Sequence, residues 1–401
     1  MTTTVAPPRY PFPGDERLDT DARYAALRSS EPVSRVTMAN GEPAWLVTRY
    51  DDMKAILSDP RFSRSLVAGQ DVTTATHRMA DQPRSVILPL SDPPEHTTIR
   101  RLVSKAFTAR RVETIRPRAE QIVENLLDNL AAAQPPADFV ALVAMPLPVT
   151  IITDILGIEG PAYATMRHWS EALMSVTALD SGEVVAIKDE FESYMRAVVE
   201  QRRADPGDDL VSALIRAGED GDSFTDDEMM SVIMLLFIAG YETTVSQLTN
   251  QVYTLLSRAH LWHQLRADPS LVPQAVEELL RAVPVGYAGL PIRATEDVAL
   301  GGIEIAAGDF VLLPKYAGNL DPDAFGCPAS IHFSRTHNPH LAFGHGAHYC
   351  IGAPLARMEI QVALTALVRR FGSLSLAVDP DDLAWRTGAL IRGPRDLPVT
   401  W

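Results

Sequence analysis

One of only two cysteines in the chain, Cys350, stands in the stretch FGHGAHYCIG (residues 343–352), behind a glycine-rich turn with two histidines and ahead of a helical pattern beginning APLARMEI. The N–H groups of such a turn can point at sulfur, and a helix N-terminus beyond it adds a positive dipole end. Both favour thiolate over thiol. A thiolate so placed either ligates or reacts. Zinc held by His345, His348 and Cys350 is conceivable, but three ligands within six residues lack the separated pairs that structural zinc sites use. A nucleophilic pair of Cys350 with His348 would need a third, orienting group that the neighbouring sequence does not supply. The other cysteine, Cys327, lies in a Pro-rich loop, and a structural disulfide is not expected in a reducing compartment.

A second constellation is AGYETT, residues 239–244, inside a strongly apolar helical pattern. Gly240 there costs about 1 kcal/mol relative to Ala, and the hydroxyls of Thr243 and Thr244 compete for carbonyls one turn back. From this segment alone two readings stand level. One is a kink holding a satisfied buried Thr and Glu; the other is a groove in which a small ligand sits and Glu242 and Thr243 relay protons to it.

The elements that must carry these groups are mostly helical. Amphipathic patterns run over 94–133, 147–204, 208–217, 225–257, 270–282 and 354–371. The helix at 225–257 opens with a capping box, Thr225 and Glu228, flanked by a Phe224–Met229 staple. It is apolar on nearly every face until AGYETT, so it must cross the middle of the protein. Residues 34–49 read as two strands around the turn ANGE, and VALGGIEIAAGDFVLL (298–313) adds short strands before an irregular stretch from Tyr316 to His340. The expected class is mainly α with a minor β part.

With 401 residues, 46% of them hydrophobic and 22% charged, the chain can bury a large core. No linker, charge block or repeat divides it, so a single domain over 1–401 is expected. A net charge of −15 argues against a nucleic-acid binder or a protein of anionic membranes. The N-terminal stretch has no signal-peptide pattern, and the longest apolar run, VIMLLFIAG, is too short for a bilayer. A cytoplasmic protein is expected.

Taken together, the spacing of Phe343, Gly344, Gly346, His348, Cys350 and Gly352, the AGYETT helix and the EELLR segment (277–281) resemble a cytochrome P-450 of the soluble bacterial type, over nearly the whole chain and in the same order. The resemblance implies that fold, with the long central helix crossing over a haem, and a monooxygenase acting in the cytoplasm as a monomer. The cofactor would be a b-type haem (iron protoporphyrin IX) with O2 as co-substrate. Cys350 would be the thiolate on iron, Gly344 and Gly346 would let the backbone approach the sulfur, and Phe343 would pack beside it. His96 and Arg100, four apart on one helical face, would clamp a haem propionate, with Arg293 and His348 as the other donors. Glu242 and Thr243 would deliver protons, while Ala239 and Gly240 leave room for dioxygen. Glu278 and Arg281, completed by Arg335, would hold the region that carries the cysteine loop. The stretch AGNLDPDAF departs from the commonest family pattern at Gly318 and Leu320.

The substrate pocket is expected around Val86, Ile87, Leu88, Leu235, Ala239, Val285, Ala389 and Leu390, against a background reading of ordinary core packing. These apolar residues suggest a fairly large organic substrate, such as a polyketide, terpenoid or cyclic-peptide intermediate of secondary metabolism. Hydroxylation or epoxidation is the leading reading, and oxidative coupling of phenols or indoles by the same haem is the alternative. A haem protein that merely senses a ligand would not need the Glu242–Thr243 pair. Electrons must come from outside, since no flavin or iron–sulfur motif is present: an acidic ferredoxin with an NAD(P)H-dependent reductase fits. Its docking surface is expected at 101–118, where Arg101, Lys105, Arg110, Arg111, Arg116 and Arg118 face only Glu113.

Overall fold

The computed structural model of the chain describes residues 6–15, 17–67, 88–158, 163–173, 181–219, 225–286, 290–387 and 391–401. In chain order the helices are α1 (Arg23–Ser30), α2 (Tyr50–Ser58), α3 (Glu95–Ser104), α4 (Ala109–Ala132), α5 (Pro146–Leu156), α6 (Tyr163–Leu173), α7 (Ser181–Ala204), α8 (Leu210–Glu219), α9 (Asp226–Ser257), α10 (Ala259–Ala267), α11 (Val272–Ala282), α12 (Lys315–Gly318) and α13 (Ala353–Arg370). The strands are β1 (Val33–Thr37), β2 (Pro43–Val47), β3 (Phe62–Ser63), β4 (Ala137–Asp138), β5 (Ile292–Ala294), β6 (Val298–Leu300), β7 (Ile303–Ile305), β8 (Phe310–Leu312), β9 (Ser375–Leu376) and β10 (Pro398–Thr400).

Helices form the main layer. α4, α5, α9, α11 and α13 bury Val123, Leu127, Ile152, Leu248, Leu279 and Leu364 completely in one apolar core. α9 is 32 residues long, which at 1.5 Å per residue is about 48 Å of rod. Its start is fixed by the reciprocal Thr225–Glu228 box, while Phe224 lies outside the described residues. By length and composition α9 is long and apolar enough to cross a bilayer, which corrects the expectation drawn from its shorter uninterrupted run. Here it is a core helix that also buries Glu242, Gln247, Asn250 and Gln251.

The sheet layer is β1-β2-β8-β5-β3. β1 and β2 pair antiparallel from Val33↔Val47 to Thr37↔Pro43, and β2 runs parallel to β8. A second sheet, β4-β10-β9, joins residues far apart in the sequence. The cysteine loop leaves the irregular stretch after α12, turns at Gly344 (φ +77°) and Gly346 (φ +68°), and runs into α13.

Candidate functional site

The cysteine loop is tied from several sides. Cys350 N donates to Phe343 O at 2.8 Å, closing the turn, and Tyr349 O accepts from Arg100 Nη2 of α3 at 2.6 Å. The Arg357 guanidinium stacks over the Phe343 ring at 4.5 Å and reaches Tyr349 Oη at 3.0 Å. The glycines have separate reasons. A Cβ on Gly346 would stand 2.2 Å from the Leu57 carbonyl at the end of α2, so this glycine allows the loop to approach a neighbouring helix rather than the sulfur. Gly352, by contrast, lies beside Cys350 Sγ.

Cys350 is solvent-accessible at its surface yet ringed by protein. Burial pushes its thiol pKa up, against the N–H groups of Gly352 and Ala353, which bond to the sulfur, and the cations Arg100 and Arg357. Turn and helix start do aim donors at the sulfur, but burial outweighs them, so the free group rests as a thiol. A cation at the sulfur reverses that balance. No group of three His, Cys, Asp or Glu side chains among the described residues could hold a metal, which leaves the His345–His348–Cys350 zinc arrangement unformed.

Next to the loop lies a cluster of basic side chains, in which the histidines are neutral and the arginines and a lysine carry the charge. His96 is buried, and its ring centroid is 4.0 Å from that of His348. His96 Nε2 has no hydrogen-bond partner. Burial, then Arg64 and His96, hold His348 down to about 3; burial, then Arg100 and Arg64, hold His96 low. Arg64 and Lys315 complete the group, and sequence reasoning missed both. Burial brings Arg64 down to about 10, and burial with Arg64 brings Lys315 down to about 8. The acid beside them, Asp92, is already engaged by Ser63 Oγ, Ser65 Oγ at 2.7 Å and Arg64 N at 2.9 Å. Cations gathered without carboxylates of their own suit an anionic ligand. Arg293, expected as a further donor, donates from Nε to Gly308 O at 2.8 Å and lies over Phe310.

On α9 the accessible residues form a stripe. Ala239 and Thr243 are exposed and Leu235 is half-buried, at i, i+4 and i+8, while most of their neighbours are buried. Thr243 Oγ1 donates to Ala239 O at 2.9 Å. Gly240 points elsewhere: a Cβ there would meet Ile152 Cδ1 at 2.8 Å, so its small size serves the packing of α9 on α5. Glu242 is 3% exposed and ion-paired with Arg386, a partner not found from the sequence.

Below the loop, Glu278 of α11 accepts from Arg281 (2.8 and 2.9 Å), Arg335 Nε (2.9 Å) and His332 N (3.0 Å). Burial alone would raise the Glu278 carboxyl, but Arg281, His332 and Arg335 hold it below its usual value. Arg281 also donates to the carbonyls of Asn319, Pro328 and Ser330, stapling the irregular stretch to α11. Of the expected pocket residues, Leu88 is buried in the main core, and Val285 O accepts from Arg392 N at 2.9 Å. Val86, Ile87, Ala389 and Leu390 lie outside the described residues.

Comparison with known proteins places this geometry. The family model for cytochrome P450 matches residues 173–394. The chain is 46% identical to nocardicin C N-oxygenase of Nocardia uniformis subsp. tsuyamanensis over 98% of both chains. It is 43% identical to mycinamicin IV hydroxylase/epoxidase of Micromonospora griseorubida over the full length of both. A crystal structure of cytochrome P450mel 107F1 with biaryl coupling reactivity superposes with a TM-score of 0.89 at 41% identity, covering 96% of this chain and 98% of that one. A thiol addressed by backbone donors, a neighbouring cluster of cations and an open stripe on a central helix thus sit in a chain that belongs to the cytochrome P450 family, haem-dependent monooxygenases that use dioxygen.

Proposed function

We propose that Cys350 is the thiolate ligand of a b-type haem and that the enzyme inserts one oxygen atom of dioxygen, by hydroxylation or epoxidation, into an apolar secondary metabolite. The observation that carries this reading is the set of donors, Gly352 N and Ala353 N, aimed at the Cys350 sulfur beside Arg100 and Arg357. Bound haem supplies reductive activation of dioxygen at its iron. The residues present fit it: a thiol ringed by N–H donors and cations that favour its ligating form once a metal cation sits at the sulfur, and a neighbouring basic cluster where two carboxylates would go. Without a C-x-x-C-H attachment motif the haem is held non-covalently.

The chain's own groups then do the positioning. Cys350 would hold the iron, and His96, Arg100, Arg293 and His348 would face the haem carboxylates. Thr243 spends its proton on Ala239 O, so its lone pairs accept a hydrogen bond from a group lying over the stripe. Glu242 is a proton reservoir, although adjacent helical residues project about 100° apart and Arg386 holds its carboxylate. Transfer to Thr243 therefore needs a bridging water or release from Arg386. Leu235 and Ala239 exclude water at the reacting end, with Val285 as a further apolar neighbour.

Electrons come from an acidic ferredoxin and its NAD(P)H-dependent reductase. The alternative, oxidative coupling of phenol or indole groups, has support in the 41% identical structure with biaryl coupling reactivity. Labelled dioxygen separates the two, because insertion leaves one labelled atom in the product and coupling leaves none. The central test is spectral. The purified parent with ferrous haem and CO should give the far-red-shifted Soret band of thiolate ligation, and Cys350→Ser should lose it. A colourless parent, or an unchanged band in the variant, overturns the reading.

A further inference from the structure

Strand topology brings two cations to one end of the sheet. β3 and β8 both run antiparallel to β5, which lies between them, with Ser63↔Arg293 and Arg293↔Phe310 aligned across the three strands. β3 and β8 therefore point the same way, and their chains leave the sheet at the same end. Arg64 is the first residue beyond β3, and Lys315 opens α12 three residues beyond β8. Both backbones are fixed. Arg64 N donates to Asp92 Oδ1 at 2.9 Å, Asn319 N donates to Lys315 O at 2.9 Å, and the hydroxyl of the adjacent Tyr316 donates to buried Asp15 at 2.6 Å.

Such a pair does not serve the fold. Two like charges taken out of water cost stability unless an anion joins them: burial lowers Arg64 even against the charge of nearby Asp92, and burial with Arg64 lowers Lys315. Among the described residues no carboxylate is hydrogen-bonded to either side chain, and Asp92 is spent on Ser63 and Ser65. His96, Arg100 and His348 face the same region and add no negative charge.

We infer that Arg64 and Lys315 form a second cationic clamp for the haem carboxylates, separate from His96 and Arg100 on α3. This rests on the haem reading above. Its consequence is proton uptake on haem loading. Without an anion Lys315 sheds its proton near pH 8, and a facing carboxylate raises that value. The contact is thus at full strength below about pH 8 and weakens as pH rises through the raised value. Arginine at this position would stay charged throughout.

The experiment loads the parent, Lys315→Gln and Lys315→Arg with haem and follows transfer to excess apomyoglobin from pH 7 to 10, with a melting curve for each protein. At pH 7 Lys315→Gln should release haem about tenfold faster, a loss of roughly 1.4 kcal/mol, while Lys315→Arg stays within twofold of the parent. Between pH 8 and 10 the parent's release should accelerate relative to that of Lys315→Arg. Parental release from Lys315→Gln, or identical pH profiles for the parent and Lys315→Arg, overturns the inference. If Lys315→Gln fails to fold, the Arg comparison still decides. A parent that takes up no haem sinks the underlying haem reading instead.

Discussion

At the scale of single residues, the groups that announce themselves in sequence are those whose partners are close along the chain. Cys350 with Gly352 and Ala353, Glu278 with Arg281, and Thr225 with Glu228 meet within four residues, so spacing alone foreshadows the contact. Arg64, Lys315 and Arg386 gave no such sign. Arg386 meets Glu242 across 144 positions, and no local pattern encodes that. The same difference separates Glu242 from Thr243, adjacent in sequence but turned to different surroundings. Since Thr243 alone of the two lies on the exposed stripe, Thr243→Ala should retain haem and substrate binding while product formed per NAD(P)H falls roughly tenfold or more and hydrogen peroxide takes up the difference. Peroxide and product yields measured together check this, and unchanged coupling would assign the task to another group.

At the scale of elements, periodicity located α8, α9, α11, α13 and the β1–β2 hairpin to within a few residues, but it ran α3 and α4 together over 94–133, ran α5, α6 and α7 together over 147–204, and passed over α1 and α2. It missed α10, which follows α9 after a break at Arg258 and so reads as a continuation of it. Gly240 shows where local reasoning misleads. A glycine in a helix that borders a site invites a ligand-based explanation, yet the neighbour it accommodates is Ile152 of α5. Gly240→Ala gains about 1 kcal/mol of helix propensity but overpacks this crossing by about 1–3 kcal/mol, so a net destabilisation of about 1 kcal/mol is expected. Ile152→Val should relieve it. A double-mutant cycle by denaturant unfolding of the haem-free protein should show a coupling of about 1 kcal/mol, and additive effects would return Gly240 to the site.

At the scale of the whole molecule, charge is distributed less simply than the sequence suggests. Within the basic run at 101–118, Arg116 pairs with Glu113 (2.7 Å), Arg118 with Asp154 (3.0 Å) and Arg111 with Asp208 (3.8 Å), the last two acids supplied by elements distant in sequence. Lys105 and Arg110 are exposed, and α3 is anchored to the cysteine loop through Arg100 and Tyr349. If ferredoxin docks on this face, reversing Lys105 and Arg110 to Glu should slow its reduction of the haem about tenfold at low salt, with the gap closing as ionic strength rises and substrate affinity unchanged. Stopped-flow reduction at two salt concentrations checks this, and equal rates at low salt would move the docking face elsewhere. The long-range ties also bear on synthesis. Arg392 donates to the carbonyl of Asp19 across 373 positions, and β10 is the strand that joins β4 to β9. On a ribosome, α4, α5 and α9 emerge and can associate long before these closing contacts exist. The nascent chain therefore carries an incompletely sealed apolar interior through most of translation, an interval in which exposed apolar surface can associate with other chains.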